Sequence, residues 1–298
     1  MGKYIGLGVE TTFGTAASSI DYFEGPTRST LHPVAEVLTE PYLGGRGSLY
    51  WAPGKMRVEG DIEAIVNWKV LDKFFHAILG KRNFDGENTE WTPEPNPSAF
   101  PSWTVVIGQD DQEWRAVGMI ATKMELNFAA GEIGKATLSL LGAKVDNRSS
   151  INTPTIKTDN PIGFHEVVVK KGGSVLGYAK RVRLTFDNHF DEDWYMLGSR
   201  YFGKATEKPI PGNLEVGGEI ELVKVDWNIW DEATQESTSE SSLMICLDGS
   251  DCTEYIDCGN IVITSIDSEL PSTSPSTLRF EFKSKGFNKV LYPGEITW

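Results

Sequence analysis

The feature that most constrains this chain is a pattern that it carries twice. Met56-Arg-Val-Glu-Gly-Asp-Ile-Glu-Ala64 returns as Leu214-Glu-Val-Gly-Gly-Glu-Ile-Glu-Leu222, and Val66-Asn-Trp-Lys-Val-Leu-Asp72 returns as Val225-Asp-Trp-Asn-Ile-Trp-Asp231. Seven of these sixteen aligned positions are identical, where unrelated segments of ordinary composition share roughly one. The first pair lies 158 residues apart and the second 159, so a one-residue insertion or deletion separates them. Solenoid units are about 20–50 residues long, and this period is instead the length of a domain. The reading is a tandem duplication, with a first module over residues 1–152 and a second over 153–298. The boundary falls in the polar run Asp146–Asn160.

Most of the chain alternates with a period of two, as strands with one buried face do. Val58, Gly60, Ile62 and Ala64 share one face, while Glu59, Asp61 and Glu63 share the other. Val216, Gly218, Ile220 and Leu222 repeat the arrangement against Glu219 and Glu221. Further strands are expected over Trp103–Ile107, Met119–Phe128, Ala136–Leu141, Glu166–Lys170, Val182–Phe186, Leu243–Leu247, Asn260–Ile266 and Thr277–Phe282. Each module has one helix. From Asn67 to Leu79, Val70, Leu71, Phe74, Phe75, Ile78 and Leu79 fall at helical spacing, and Gly80 suits the end. The matching helix from Asp226 runs into the polar Gln235–Ser242, expected to unwind into a loop. Trp68 and Trp227 hold equivalent places at the two helix starts and read as core or helix-docking residues. Pro-rich Thr92–Pro101 and Pro271–Thr277 are excluded from central strands. Both termini read as extended, residues 1–20 as an arm and Tyr292–Trp298 as a C-terminal extension.

Composition and motifs exclude several classes. No stretch reaches the roughly 20 apolar residues of a membrane span, and Met1–Gly8 has no apolar run long enough for a secretory signal, which points to synthesis in the cytoplasm without membrane insertion. The net charge of −14 lacks the basic footprint of a nucleic-acid grip. Cys246, Cys252 and Cys258 all lie in the second module, which argues for free thiols rather than a duplicated disulfide framework. No histidine lies near them, and neither a metal nor a cofactor is implied. The chain has no nucleophile elbow, phosphate loop, dinucleotide fingerprint or two-histidine zinc motif. Gly44-Gly-Arg-Gly-Ser48 reads as a surface turn. The carboxylates on the polar strand faces lack the paired, partly buried placement of a glycosidase site. No enzyme is expected.

The opening Tyr4-Ile-Gly-Leu-Gly-Val-Glu-Thr-Thr-Phe-Gly-Thr-Ala16 resembles the start of tail tube (major tail) proteins of tailed bacteriophages, in the run from Gly8 to Ala16. The likeness continues through Arg28-Ser-Thr-Leu31, the Gly60–Glu63 strand and its helix, then Lys180–Asn188 and Asn213–Ile220. It implies a mainly β fold: two duplicated β-sandwich or barrel modules, each flanked by one helix, assembling into rings that stack around a channel for viral DNA. It also implies a virion location, with tape measure and tail terminator or baseplate proteins as partners; with rings that stack, the arm over residues 1–20, the 92–101 loop and Tyr292–Trp298 are expected to make the contacts between rings. If each module supplies four strands to the inner wall, three chains close one ring with pseudo-sixfold symmetry. The candidate channel-lining residues are Glu59, Asp61, Glu63, Glu219 and Glu221, a like-charged wall that would repel DNA and so limit sticking. The alternatives are another ring protein of the tail or baseplate and, in a different class, a monomeric β-sandwich that binds carbohydrate or acts as an adhesin.

Overall fold

The computed structural model describes residues 4–24, 28–41, 48–109, 112–150, 154–204, 207–224, 226–234, 240–269 and 277–296. In the first half the strands are β1 (Tyr4–Val9), β2 (Asp21–Glu24), β3 (Arg28–Ser29), β4 (His32–Pro41) and β5 (Ser48–Ile65). After helix α1 (Trp68–Leu79) come β6 (Gly80–Phe84), β7 (Asn88–Pro93), β8 (Trp103–Gln109), β9 (Gln112–Ala129), β10 (Lys135–Gly142) and β11 (Lys144–Ser150). The second half holds β12 (Ile156–Lys157), β13 (Val168–Lys171), β14 (Ser174–Val175), β15 (Ala179–Asp187) and β16 (Glu215–Leu222). After α2 (Trp227–Thr234) it ends with β17 (Ser241–Cys246), β18 (Tyr255–Glu269), β19 (Thr277–Ser284) and β20 (Lys289–Pro293).

Eight strand positions form one antiparallel run in the order β3/β4, β5, β10, β9, β15, β16, β19, β18. The join between the halves is β9 against β15, with Leu184 opposite Leu126 and Phe186 opposite Met124. Two outer groups pack across the core. One contains β2, β1, β8, the start of β9 and β11. The other contains β13, β17, the start of β18, β20 and, from the first half, β7 and β6.

The same pairing pattern occurs in both halves. Ile62 faces Leu138 on β10 and Ser29 on β3, while Ile220 faces Phe280 on β19 and Val182 on β15. Thr122 is bulged out between β9 and β10, and Thr264 is bulged at the matching place between β18 and β19. Both long strands bend where they leave the outer group: Gly118 and Gly259 each have φ +67°, a conformation that glycine adopts without Cβ strain.

Two glycines of the repeated motif are explained by close approach. A Cβ on Gly60 would lie 2.6 Å from the Thr30 carbonyl oxygen, and one on Gly218 would lie closer still to that of Arg183.

Helix α1 forms as the spacing requires. The Asn67 side chain accepts from Val70 N–H at 2.9 Å, and Gly80 closes the helix at φ +88°. Its apolar face buries Val70, Leu71, Phe74, Phe75, Ile78 and Leu79 in a core shared with Leu126, Phe186, Ile220 and Phe280. Trp68 stacks on Trp91 at 6.1 Å, lies 4.8 Å from Tyr292, and donates to Glu254 at 2.5 Å. The side chain of Trp227 lies outside the described residues, as do residues 235–239 and 270–276. Ser241 and Ser242, expected in the loop, already belong to β17.

Two expectations are corrected. Cys246 and Cys252 are not free thiols: they form a disulfide, their Cα atoms 4.8 Å apart. A tight turn brings them together, with Leu247 N–H donating to the Glu254 carbonyl at 2.8 Å. Absence of a counterpart in the first half does not forbid a pair that closes one local turn. Cys258 alone is free, and it is buried. The second correction concerns the termini. Tyr4–Val9 is a central strand between β2 and β8, with Tyr4 to Gly8 buried, and Lys289–Pro293 is paired on both sides by β7 and β18. Tyr4–Val9 and Tyr292–Pro293 are thus strands of the sandwich and not free arms, while residues 1–3 and 297–298 lie outside the described residues.

Candidate functional site

The eight-stranded run has one face in the core and one face of charged side chains, because its strands alternate. Val58, Ile62, Ala64, Val216, Ile220 and Leu222 are all in the core. Glu59, Asp61, Glu63, Glu219 and Glu221 stand on the opposite face, as the alternation requires. The sheet brings them onto one surface, in two clusters separated by β10, β9 and β15.

This face is not a bare acidic wall. Glu59 pairs with Arg57 at 2.5 Å, Glu63 with Lys135 at 3.8 Å and Glu221 with Lys180 at 2.7 Å. Glu219 is bridged by Arg279, and Asp61 accepts from Ser139 Oγ at 2.6 Å. Between the clusters, Arg183 and Glu125 join the halves at 2.6 Å. The like-charge picture is therefore corrected: Arg57 stands two residues before Glu59 on β5 itself, and the other cations lie on neighbouring strands, diagonally across the ladder. Sequence reading missed them because it tracked carboxylates along single strands. The signal was present in Arg181-Val-Arg183, which alternates in phase with its acidic neighbours. The hydrogen bond that Arg183 donates to Glu125 raises the Arg183 pKa, and Lys283 beside Glu215 holds that carboxyl below its ordinary value. Gly217 and Gly218 leave a groove of about 290 Å³ on this face, bordered by Arg183, Glu215 and Lys283.

The two ends of the run differ from its interior. β3 and β4 pair only with β5, and β18 beyond Ile261 pairs only with β19, among the described residues. The hairpin of β4 and β5 also extends past the sheet, carrying exposed Val37, Leu38 and Trp51, the last at 75% exposure.

Elsewhere, buried polar groups serve the fold. Glu10 accepts from Gly14 N–H, Ser102 Oγ, Thr104 Oγ1 and Gly118 N–H at 2.8–3.0 Å, tying β1 to the bend of β9. Burial raises its pKa, and those hydrogen bonds oppose the rise. Asp72 on α1 pairs with Arg82 at 2.5 Å. Among the described residues no group of His, Cys, Asp and Glu is arranged to hold a metal, and no helix is long and apolar enough to cross a membrane.

A continuous strand-built surface with two open edges is the geometry of a building block, and comparison with known families agrees. The family model described as phage tail tube protein matches residues 2–257. The chain belongs to the phage tail tube protein family. Membership makes it a structural component of the virion tail, and the mainly β fold fits that family. A search of curated proteins finds no match.

Proposed function

We propose that this tail tube protein closes a ring by joining its eight-stranded sheets edge to edge, and that the rings stack around a channel for viral DNA. The observation that carries this reading is the antiparallel run from β4 to β18, open at both ends among the described residues. Unpaired edges invite pairing with another copy, and a closed barrel removes them. The repeated pairing pattern supports two duplicated modules, residues 1–152 and 153–298, each giving four strand positions. Three copies then make roughly 24 strands; at about 4.8 Å per strand and a tilt of about 40°, the backbone diameter is roughly 45–50 Å. That leaves room for a duplex about 20 Å across. The ring is a trimer with pseudo-sixfold symmetry.

The charged face carrying Glu59, Asp61, Glu63, Glu219 and Glu221 lines this channel. Its chemistry suits passage rather than capture. DNA is held when cations bind phosphates and release counterions, and here Arg57, Lys180, Arg183 and Arg279 are already engaged by carboxylates. The exposed apolar end of the β4–β5 hairpin makes the ring-to-ring contact, since β1 and β20 are committed to the sandwich. A tape measure protein inside the tube and terminator or baseplate proteins at its ends complete the assembly. Negative-stain microscopy of the concentrated protein should show rings or tubes with an axial lumen; a strictly monomeric protein under all assembly conditions contradicts the proposal.

A further inference from the structure

The seam between the two halves also gives the register of the seam between two copies. This inference rests on the ring proposal and goes beyond it by naming residue pairs. Cross-strand partners set the correspondence. Arg28 to Val34 occupy the places of Arg181 to Asp187, because Arg28 faces Glu63 and His32 faces Glu59 as Arg181 faces Glu221 and Thr185 faces Gly217. Gly60 and Gly218 meet the carbonyls of Thr30 and Arg183, which correspond on the same count. On the other edge, Ser265 and Ile266 occupy the places of Lys123 and Met124: Ser265 faces Glu281 and Ile266 faces Phe280, as Lys123 faces Ser139 and Met124 faces Leu138. The bulged threonines 122 and 264 fix that alignment without slack.

Within the chain, Thr185 faces Glu125 and Phe186 faces Met124 across the β9–β15 seam. We infer that β4 of one copy pairs with β18 of the next in the same register, His32 opposite Asp267 and Pro33 opposite Ile266. The occupant of each open edge is thus a second copy of this chain. His32 and Asp267 are exposed in the single chain and would meet on the charged face. The internal seam has a carboxylate at the same point, Glu125, engaged by Arg183.

The two seams differ in strength. Thr30 N–H donates to Asp61 O at 2.9 Å, toward β5; by alternation, the neighbouring odd-numbered residues turn their backbone groups toward the open edge. Pro33 has no N–H to offer there, where the internal seam has Phe186. The seam between copies lacks one backbone hydrogen bond that the internal seam can make, and proline on an open edge restrains unscheduled pairing.

Cysteine cross-linking tests the register. In one chain the two edges are seven strand spacings apart, roughly 34 Å along the sheet, so a bond between them must join different copies. The variant with His32→Cys and Asp267→Cys should form covalent dimers and trimers on oxidation of assembled rings. The variant with His32→Cys and Ser265→Cys, one pair out of step, should cross-link at least tenfold less. Rings that form normally but cross-link equally at 265, or not at all, overturn the register and leave the ring reading intact. If the wild-type chain forms no rings under microscopy, the ring reading fails and the register falls with it.

Discussion

Arg183 reaches from the second half of the chain to Glu125 of the first, Nη2 to Oε2 at 2.6 Å, across the strands that join the halves. The pair sits on the charged face of the long sheet, with the Arg183 side chain half exposed. Its position shows what charge does there: it stitches neighbouring strands.

Because the pair is open to solvent, its coupling should be small. A double-mutant cycle with Arg183→Ala and Glu125→Ala should give about 0.3–1 kcal/mol by urea unfolding. A coupling of several kcal/mol would mean that this pair carries the junction, contrary to the apolar contacts made by Leu184, Phe186, Met124 and Leu126.

The repeated glycines should be far less tolerant. Gly60→Ala and Gly218→Ala each put a Cβ into a carbonyl of the adjoining strand, so each should cost about 2 kcal/mol or more. Gly131→Ala, with nothing within 4 Å of the new atom, should cost about 1 kcal/mol from its positive φ alone. Thermal melts of the three variants check the ordering.

His76 should make stability fall in mild acid. Burial lowers its pKa from 6.5 to about 4, and its ring packs edge-on to Trp103 at 5.2 Å. The fold holds the neutral ring, so its contribution is complete above pH 6.5 and is lost as pH falls toward 4. The loss should be about 1–3 kcal/mol. Unfolding of His76→Gln should show a shallower decline across that window than the wild type; an identical slope would exclude His76 as its source.

Thiol labelling should separate the three cysteines. The native protein should take up no label, because Cys246 and Cys252 are paired and Cys258 is buried. Unfolding without reductant should expose one thiol, and unfolding with reductant all three. Cys246→Ser should cost about 2 kcal/mol, the loop-closure value for so short a loop.

How far the fold was legible follows from what periodicity can report. Alternation along Val58 to Ala64 and Val216 to Leu222 fixes which face is buried, and the spacing from Val70 to Leu79 with Asn67 and Gly80 fixes a helix and both its ends. Neither says which strand lies alongside. The β9–β15 and β7–β20 pairings bring together residues far apart in the chain, and those partners supply Arg183 to Glu125 and Lys289 to Glu90. Hence the five carboxylates were visible as a face, while the cations that other strands bring to it were not. The burial of β1 escaped for a related reason: Tyr4-Ile-Gly-Leu-Gly-Val9 is apolar on both faces, because Gly6 and Gly8 receive Tyr22 and Ile20 against their backbone.

Pro33 offers a direct handle on assembly. Pro33→Val restores a donor at the open edge and should lower the concentration at which rings appear by about fivefold, the equivalent of one backbone hydrogen bond of about 1 kcal/mol. Sedimentation of wild type and variant across a concentration series measures it, and an unchanged or higher threshold contradicts the assignment of Pro33 to the seam.

The most direct test of the whole account is a symmetry-resolved cryo-electron microscopy reconstruction of the assembled tube. The account predicts three chains per ring, an unbroken inner barrel of roughly 24 strands, and Glu59, Asp61, Glu63, Glu219 and Glu221 on the luminal surface beside their cations. Six chains per ring, or a lumen lined by any face other than that of the β4-to-β18 sheet, would contradict it.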